Sequence, residues 1–377
     1  MPVWWGTFIY MMVVSALGMY IYKSRQERAI VGFSYGTNEK VIDNSIGLFF
    51  ALLSFALLVF FAGQRSYIFD STDYQYSYEN YYTTELSQIT GIWNGTIQGK
   101  GKMFMTILVL FKHFSSGADY NAWFTFLAII ESASVAYFFQ KYSSNYIYSI
   151  FLFFTTSCFL WLINGIRQFL AVAVVLFFIK WLIERKTIPF LLVVIFAYYI
   201  HSTAIIWIPF YFIVNYKPWS RKFILLSMLT AIVILALSKN NFLEDTNYSY
   251  VPKSTGGVSP FRIVVMAVPT ILAFWKRKEV KEKATPFIEL CVNMSIITTE
   301  LYLVGMFTSG IMGRIPIYFQ LFTYILLPWL FNNIFEKKDA SILILVSLFC
   351  FLAYFCYDMY VAGNGIYNSR SLDLIYL

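Results

Sequence analysis

Arg167 stands in WLINGIRQFLAVAVVLFFIKW, residues 161–181, two positions after an Asn-Gly pair and directly ahead of a run apolar enough for lipid. An arginine at the centre of a bilayer costs about 2.5 to 3.5 kcal/mol on insertion scales, so a guanidinium in such a segment marks a candidate functional group. Three more arginines share the setting: Arg65 follows an apolar run, Arg262 begins one, and Arg314 lies in TSGIMGRIPIYF just before another. A planar, permanently charged fork suits phosphate or pyrophosphate, held as an anionic ligand or stabilised as a leaving group. Taken singly, each arginine also reads as a snorkeller reaching the headgroups.

Carboxylates follow closely in GQRSYIFDSTDYQYSYENYYTTE, where Asp70 and Asp73 come five and eight residues after Arg65 and Glu79 is nearby. A carboxylate beside a desolvated arginine stays ionised and can accept the proton of an attacking hydroxyl as general base. Asp73 is the stronger candidate; the alternative is that these acids cap or pair locally in a polar loop. His201, in YYIHSTAIIW, is a second candidate base or acceptor-orienting donor, since imidazole titrates near neutrality. His113 is the more ordinary of the two histidines. Tyr67, Tyr74, Tyr76, Tyr78, Tyr81 and Tyr82 crowd the same loop as the acids, and their rings suit either stacking on sugars or an interfacial aromatic belt.

The elements that must position these groups are membrane spans. Composition is 59% hydrophobic and 13% charged, with a mean hydropathy of +0.63, which excludes an ordinary soluble domain. The net charge of +8 sits in short clusters between apolar runs, not on one polar face, so nucleic acid is not a predicted partner. Apolar runs occur near residues 2–22, 44–62, 120–139, 146–163, 166–183, 222–238, 260–275, 287–308, 314–335 and 340–359, with 188–214 reading as two short spans. The expected architecture is all-α, one transmembrane domain over residues 1–377 with about twelve helices. The start of the chain lacks a cationic flank and a small-residue cleavage site, so its first run is expected to stay as a span.

Orientation follows from the cations. With the N-terminus outside, Arg65, Lys100, Lys102, Lys112, Arg167, Lys239, Lys253, Arg262, Arg314 and Arg370 fall outside the inner loops, and those ten of the 28 leave 18 within them. That bias satisfies the positive-inside rule. Both termini, the long connections 63–119 and 239–259, and all four candidate arginines then lie on the extracytoplasmic side. Within the first connection MFMTILVLFKHF, residues 103–114, is too short to span and suits an interfacial helix. Cys158, Cys291, Cys350 and Cys356 all lie in apolar runs without CxxC spacing, so they are expected to be small core residues and neither disulfide nor zinc site is indicated. Asn94 and Asn247 open N-x-S/T triplets, a weak signal. Phosphate-loop, dinucleotide and common hydrolase motifs are absent from the sequence, which removes those chemistries.

The order of RSYIFDSTDY (65–74), NGIRQFLAVAVVLF (164–177), IHSTAIIWIPFY (200–211) and GRIPIYF (313–319) resembles the EpsG-like, Wzy-type bacterial polysaccharide polymerases. The resemblance covers about residues 60 to 320. The small residue that the family usually places before its acidic-aromatic motif is Ser71 here, and the tyrosine spacing after it is irregular. What the resemblance implies is a GT-C-like membrane glycosyltransferase at the outer face of the bacterial cytoplasmic membrane. Such an enzyme moves a growing glycan from undecaprenyl pyrophosphate onto a lipid-linked repeat unit, with a chain-length regulator protein as a partner left open. On this reading Arg65, Arg167, Arg262 and Arg314 bind pyrophosphate or a sugar anion, Asp73 or His201 is the base, and Gln168, Asp70 and Tyr74 lie beside the substrate. No cofactor is implied, and metal-independence is expected because arginines can stand in for a divalent ion at the leaving group. A lipid-linked oligosaccharide flippase or secondary transporter, an O-antigen ligase and a membrane acyltransferase are the rivals. Paired repeats and midplane charges would favour transport.

Overall fold

The computed structural model describes residues 2–34, 45–68, 70–80, 82–239, 258–308 and 312–374. Among them the chain is all-helical, and the sole β-pairing is an isolated bridge between Ser369 and Leu374. Among the described residues five stretches are long and apolar enough to cross a membrane: Pro2–Ser24, Ser45–Gly63, Tyr120–Tyr142, Pro286–Met306 and Lys337–Val361. Other apolar runs are shorter helices interrupted by turns, such as Tyr146–Thr155 and Ile166–Phe177. Residues 240–257 of the second long connection, with Lys253 and Asn247, lie outside the described residues, as do Lys40 and Tyr81. The chain divides into two compact units, Met1–Phe177 with Phe355–Leu377, and Phe178–Tyr354.

The first unit begins with α1 (Pro2–Ser34), α2 (Ser45–Ser54) and α3 (Ala56–Gly63). A single turn at Phe55 separates α2 from α3, so the two share one apolar stretch. Next come α4 (Ser71–Asn80), α5 (Ser87–Asn94) and α6 (Lys102–Phe114), then α7 (Tyr120–Tyr142), α8 (Tyr146–Thr155) and α9 (Ile166–Phe177). Lipid tails are as apolar as leucine, so close backbone approach and hydrogen bonds associate such helices more than burial from water does. Gly63 shows the first: a Cβ there would overlap Thr125 Oγ1, so the glycine lets the end of α3 lie directly on α7. Asp119 caps α7, its carboxylate accepting from Ala122 N at 2.9 Å.

Between the spans, α4 to α6 form a small folded insert. Ile92, Met105 and Val109 make its core, with Tyr82, Ile89 and Ile97 packed against them. Lys112 on α6 donates to Tyr78 O at 2.5 Å and Tyr82 O at 2.6 Å, so a cation satisfies carbonyls at the C-terminal end of α4. Burial holds its ammonium below the usual lysine value, against a weaker pull from Glu79. His113 Nδ1 lies 2.9 Å from Thr84 O and so also serves the insert.

The second unit runs through α10 (Lys180–Ile183), α11 (Thr187–Ile200), α12 (Trp207–Ile213), α13 (Arg221–Lys239), α14 (Pro260–Trp275), α15 (Arg277–Lys283), α16 (Pro286–Met306), α17 (Ile317–Asn333) and most of α18 (Lys337–Cys356). Residues 188–214 divide at His201, where a 3-10 turn, Ser202–Ile206, joins α11 to α12. Thr270 on α14 bonds Ser295 and Thr299 on α16 at 2.6 and 3.0 Å, and Tyr302 on α16 donates to Gln320 on α17 at 2.6 Å. These are the interhelical hydrogen bonds expected where water is scarce. Cys158 and Cys291 are buried as expected, but Cys350 is exposed and Cys356 half-buried, because the face of α18 that carries Leu345 and Phe349 turns away from the protein.

Candidate functional site

Asp70 and Tyr74 are four residues apart at the start of α4 and therefore share one helix face. That face meets the turn leading into α9. With its amide oriented to donate, Asn164 Nδ2 lies 3.1 Å from both carboxylate oxygens of Asp70. One turn along, Arg167 Nε donates to Tyr74 Oη at 3.0 Å. Two side-chain ties thus bind residues more than ninety positions apart. Gly165 makes the turn possible: its φ is +91°, and a Cβ would lie 2.8 Å from the Trp161 ring.

Arg167 is 6% exposed and begins α9, while Gln168 beside it is also buried. Tyr82 sits close enough to feel the guanidinium: burial raises its phenol above the usual value and Arg167 opposes the rise. Phe104 from α6 packs edge-on to Tyr74 with centroids 5.8 Å apart, so the insert backs the tie. Asp73 is exposed in the first turn of α4.

Arg65 has a different environment from Arg167. It is fully buried, its Nε donates to Ser71 Oγ at 3.1 Å, its Nη1 donates to Ala62 O, and its guanidinium carbon lies 4.2 Å from the centre of the Phe124 ring. Burial pulls the guanidinium down to about 10, partly offset by Glu131, so it stays charged at neutral pH. The tyrosines also part company: Tyr78 is buried, Tyr67 and Tyr76 are exposed, and Tyr67 holds a left-handed φ of 52°.

Arg370 joins the cluster from the far end of the chain. Its backbone N donates to Ser66 Oγ at 3.3 Å, its Nη1 to Tyr67 Oη at 3.1 Å, and its guanidinium stacks 4.2 Å over the Tyr67 ring. Sequence reasoning placed Arg370 among the outer cations but had no signal that it returns to Tyr67. Asn164 and Glu131 were not singled out either, although an Asn-Gly turn and an acid inside an apolar run were the signals that could have found them.

In the second unit, His201 Nδ1 lies 2.7 Å from Thr203 Oγ1, which lies 3.1 Å from the buried Tyr318 Oη. The IHSTAIIW and GRIPIYF segments are therefore joined by a three-member hydrogen-bond chain. Arg262, half-buried, donates from Nε to Tyr354 Oη at 2.9 Å. Arg314 is half-buried at the end of the 3-10 turn Met312–Arg314. Val258 ties these two regions together: its N donates to Gly305 O at 3.0 Å, and its side chain leaves no room for a Cβ on Gly313. Of the four candidate arginines, Arg65 and Arg167 belong to the first unit and Arg262 and Arg314 to the second. Among the described residues no group of three or more His, Cys, Asp or Glu is set to hold a metal ion.

Long apolar helices, no strands among the described residues, and arginines at helix starts define a helical membrane protein. The EpsG family matches residues 48–371, most of the chain, and the protein belongs to that family of Wzy-like polysaccharide polymerases. No curated protein and no solved structure matches it.

Proposed function

We propose that the protein is a GT-C-like membrane glycosyltransferase that polymerises undecaprenyl-pyrophosphate-linked oligosaccharide repeat units at the outer face of the bacterial cytoplasmic membrane. Family membership gives the reaction class, and the clasp of α4 on the start of α9 is the observation that carries the assignment of residues. Arg167 binds the donor pyrophosphate and stabilises the leaving group, helped by the amide-rich start of α9. Asp73 takes the proton of the acceptor hydroxyl; as the exposed carboxylate beside the clasp, it is open to a sugar. Arg262 and Arg314 offer a lipid-linked pyrophosphate the same chemistry within the second unit, and His201, held by Thr203, is the competing base. On this proposal about twelve spans, broken ones included, cross the membrane, α6 lies at its interface, and a chain-length regulator is an outside partner.

Purified protein in nanodiscs, supplied with its lipid-linked repeat unit, should produce a glycan ladder. Asp73→Asn, still folded, should slow extension by about a hundred-fold or more, the range of a lost general base, while His201→Gln should retain most activity. The reverse pattern would move the base to His201. Failure of folded wild type to extend the repeat unit would sink the polymerase reading.

A further inference from the structure

Glu131 lies in the middle of α7, one of the stretches able to cross a membrane, and is fully buried. Neither of its carboxylate oxygens has a hydrogen-bond partner, and Arg65 Nη2 is likewise buried without one. A buried ion survives in such surroundings only with compensation, and an acid inside a span is a functional candidate by default.

Arg65 packs on the face of α7 that carries Glu131. Phe124 and Glu131 are seven residues apart, on one face of α7. The Arg65 guanidinium packs over Phe124, and its Nη1 bonds back to Ala62 O at the end of α3. Gly63 lets that end of α3 press on α7 beside Thr125. Among the charges acting on Arg65, Glu131 exerts the largest attraction. The other end of the guanidinium reaches the site: Arg65 Nε donates to Ser71, the first residue of α4, one position after Asp70 and three before Tyr74.

We propose that Glu131 is a positioning residue: from inside the membrane span its carboxylate neutralises and fixes Arg65, which in turn fixes the start of α4 against the turn that carries Asn164 and Arg167. Arg65 then supports the site without binding substrate, leaving Arg167 as the anion-binding guanidinium of the first unit. The catalytic part of this inference rests on the polymerase reading above; the coupling of the two charges does not.

Four variants in nanodiscs decide it: Glu131→Gln, Glu131→Asp, Arg65→Met, and Arg65→Met with Glu131→Gln. Each neutralising single change strands one buried charge, so thermal unfolding should show both lowering the Tm, with the double variant losing clearly less than their sum. Additive losses overturn the proposal. Position is read separately, by oxidative cross-linking of Asp70→Cys with Asn164→Cys in a background whose four native cysteines are alanine. Glu131→Gln should cut the yield of that cross-link, and Glu131→Asp should restore part of it. Ladder extension by Glu131→Gln should fall in kcat by about ten-fold with KM within about two-fold, the mark of a displaced rather than a missing binding group. A coupled Tm with unchanged cross-linking makes Glu131 a packing element alone and overturns the positioning claim. If wild type extends no repeat unit, the polymerase reading fails, while the Tm cycle and the cross-link still decide the role of Glu131.

Discussion

The two units organise their candidate groups in opposite ways. In the first, permanent charge is central: Arg167 is tied to Tyr74, Asp70 to Asn164, and Asp73 and Arg370 remain exposed beside them. In the second, a hydrogen-bond chain is built from an imidazole and two hydroxyls, His201, Thr203 and Tyr318. A guanidinium cluster keeps its charge at any physiological pH, whereas an imidazole changes charge near neutrality. The first arrangement suits holding a polyanion, and the second suits guiding one proton or one hydroxyl. On the proposed function, variants in the first unit should therefore cost far more than variants in the relay.

The largest expected effect is at Arg167. Arg167→Ala removes a charge from the leaving-group side and the donor to Tyr74, so ladder extension should fall by about a thousand-fold, on the scale of losing an electrostatic stabiliser. Membrane insertion and the elution profile should be unchanged. Arg167→Lys tests whether the fork matters: a point charge that lacks the second donor should recover only a small fraction of the rate. An active Arg167→Ala protein would remove the distinction between the units. Gly165→Ala follows, because the φ of +91° and the Trp161 ring both exclude a side chain. It should lower stability by about 1 to 3 kcal/mol, the range for strained backbone, and lower the rate along with it. Thermal unfolding beside the ladder assay reads both, and an unshifted Tm would show that the turn adapts.

How far these sites were legible in the sequence depends on whether the signal was local. Arginines at helix starts, the acids after Arg65 and the break at His201 could all be read from neighbouring residues, because each depends on hydropathy or spacing within a few turns. The ties could not. Tyr74 meets Arg167 across ninety-three positions and Arg370 meets Tyr67 across three hundred and three, and no periodicity encodes such pairings. The chemistry of Arg65 was also hidden: as a residue type it matches Arg167, but the close approach of α3 to α7 at Gly63 buries it against Phe124. Apolar runs announced the all-helical class, while broken helices such as Tyr146–Thr155 keep the hydropathy of a full span and so concealed their turns.

The smallest effects belong to the relay. Tyr318→Phe removes one hydroxyl from a buried ring and leaves the rest of the side chain in place. Interhelical hydrogen bonds in membranes average about 0.6 kcal/mol, so the Tm should move little. If His201 only orients an acceptor, the rate should drop by about three-fold, because the imidazole loses a support but keeps Thr203. Thr203→Val tests the nearer link and should cost slightly more, since it leaves His201 Nδ1 without its hydroxyl. Thr203→Ser, which keeps that oxygen, should match wild type. The measurement that sharpens the comparison is the pH profile of extension by these three variants. With Asp73 as base the profile should keep its wild-type shape in all of them, because the base itself is unchanged. A shift of the acidic limb in Thr203→Val and Tyr318→Phe, absent in Thr203→Ser, would make His201 the base and place the proton transfer in the second unit.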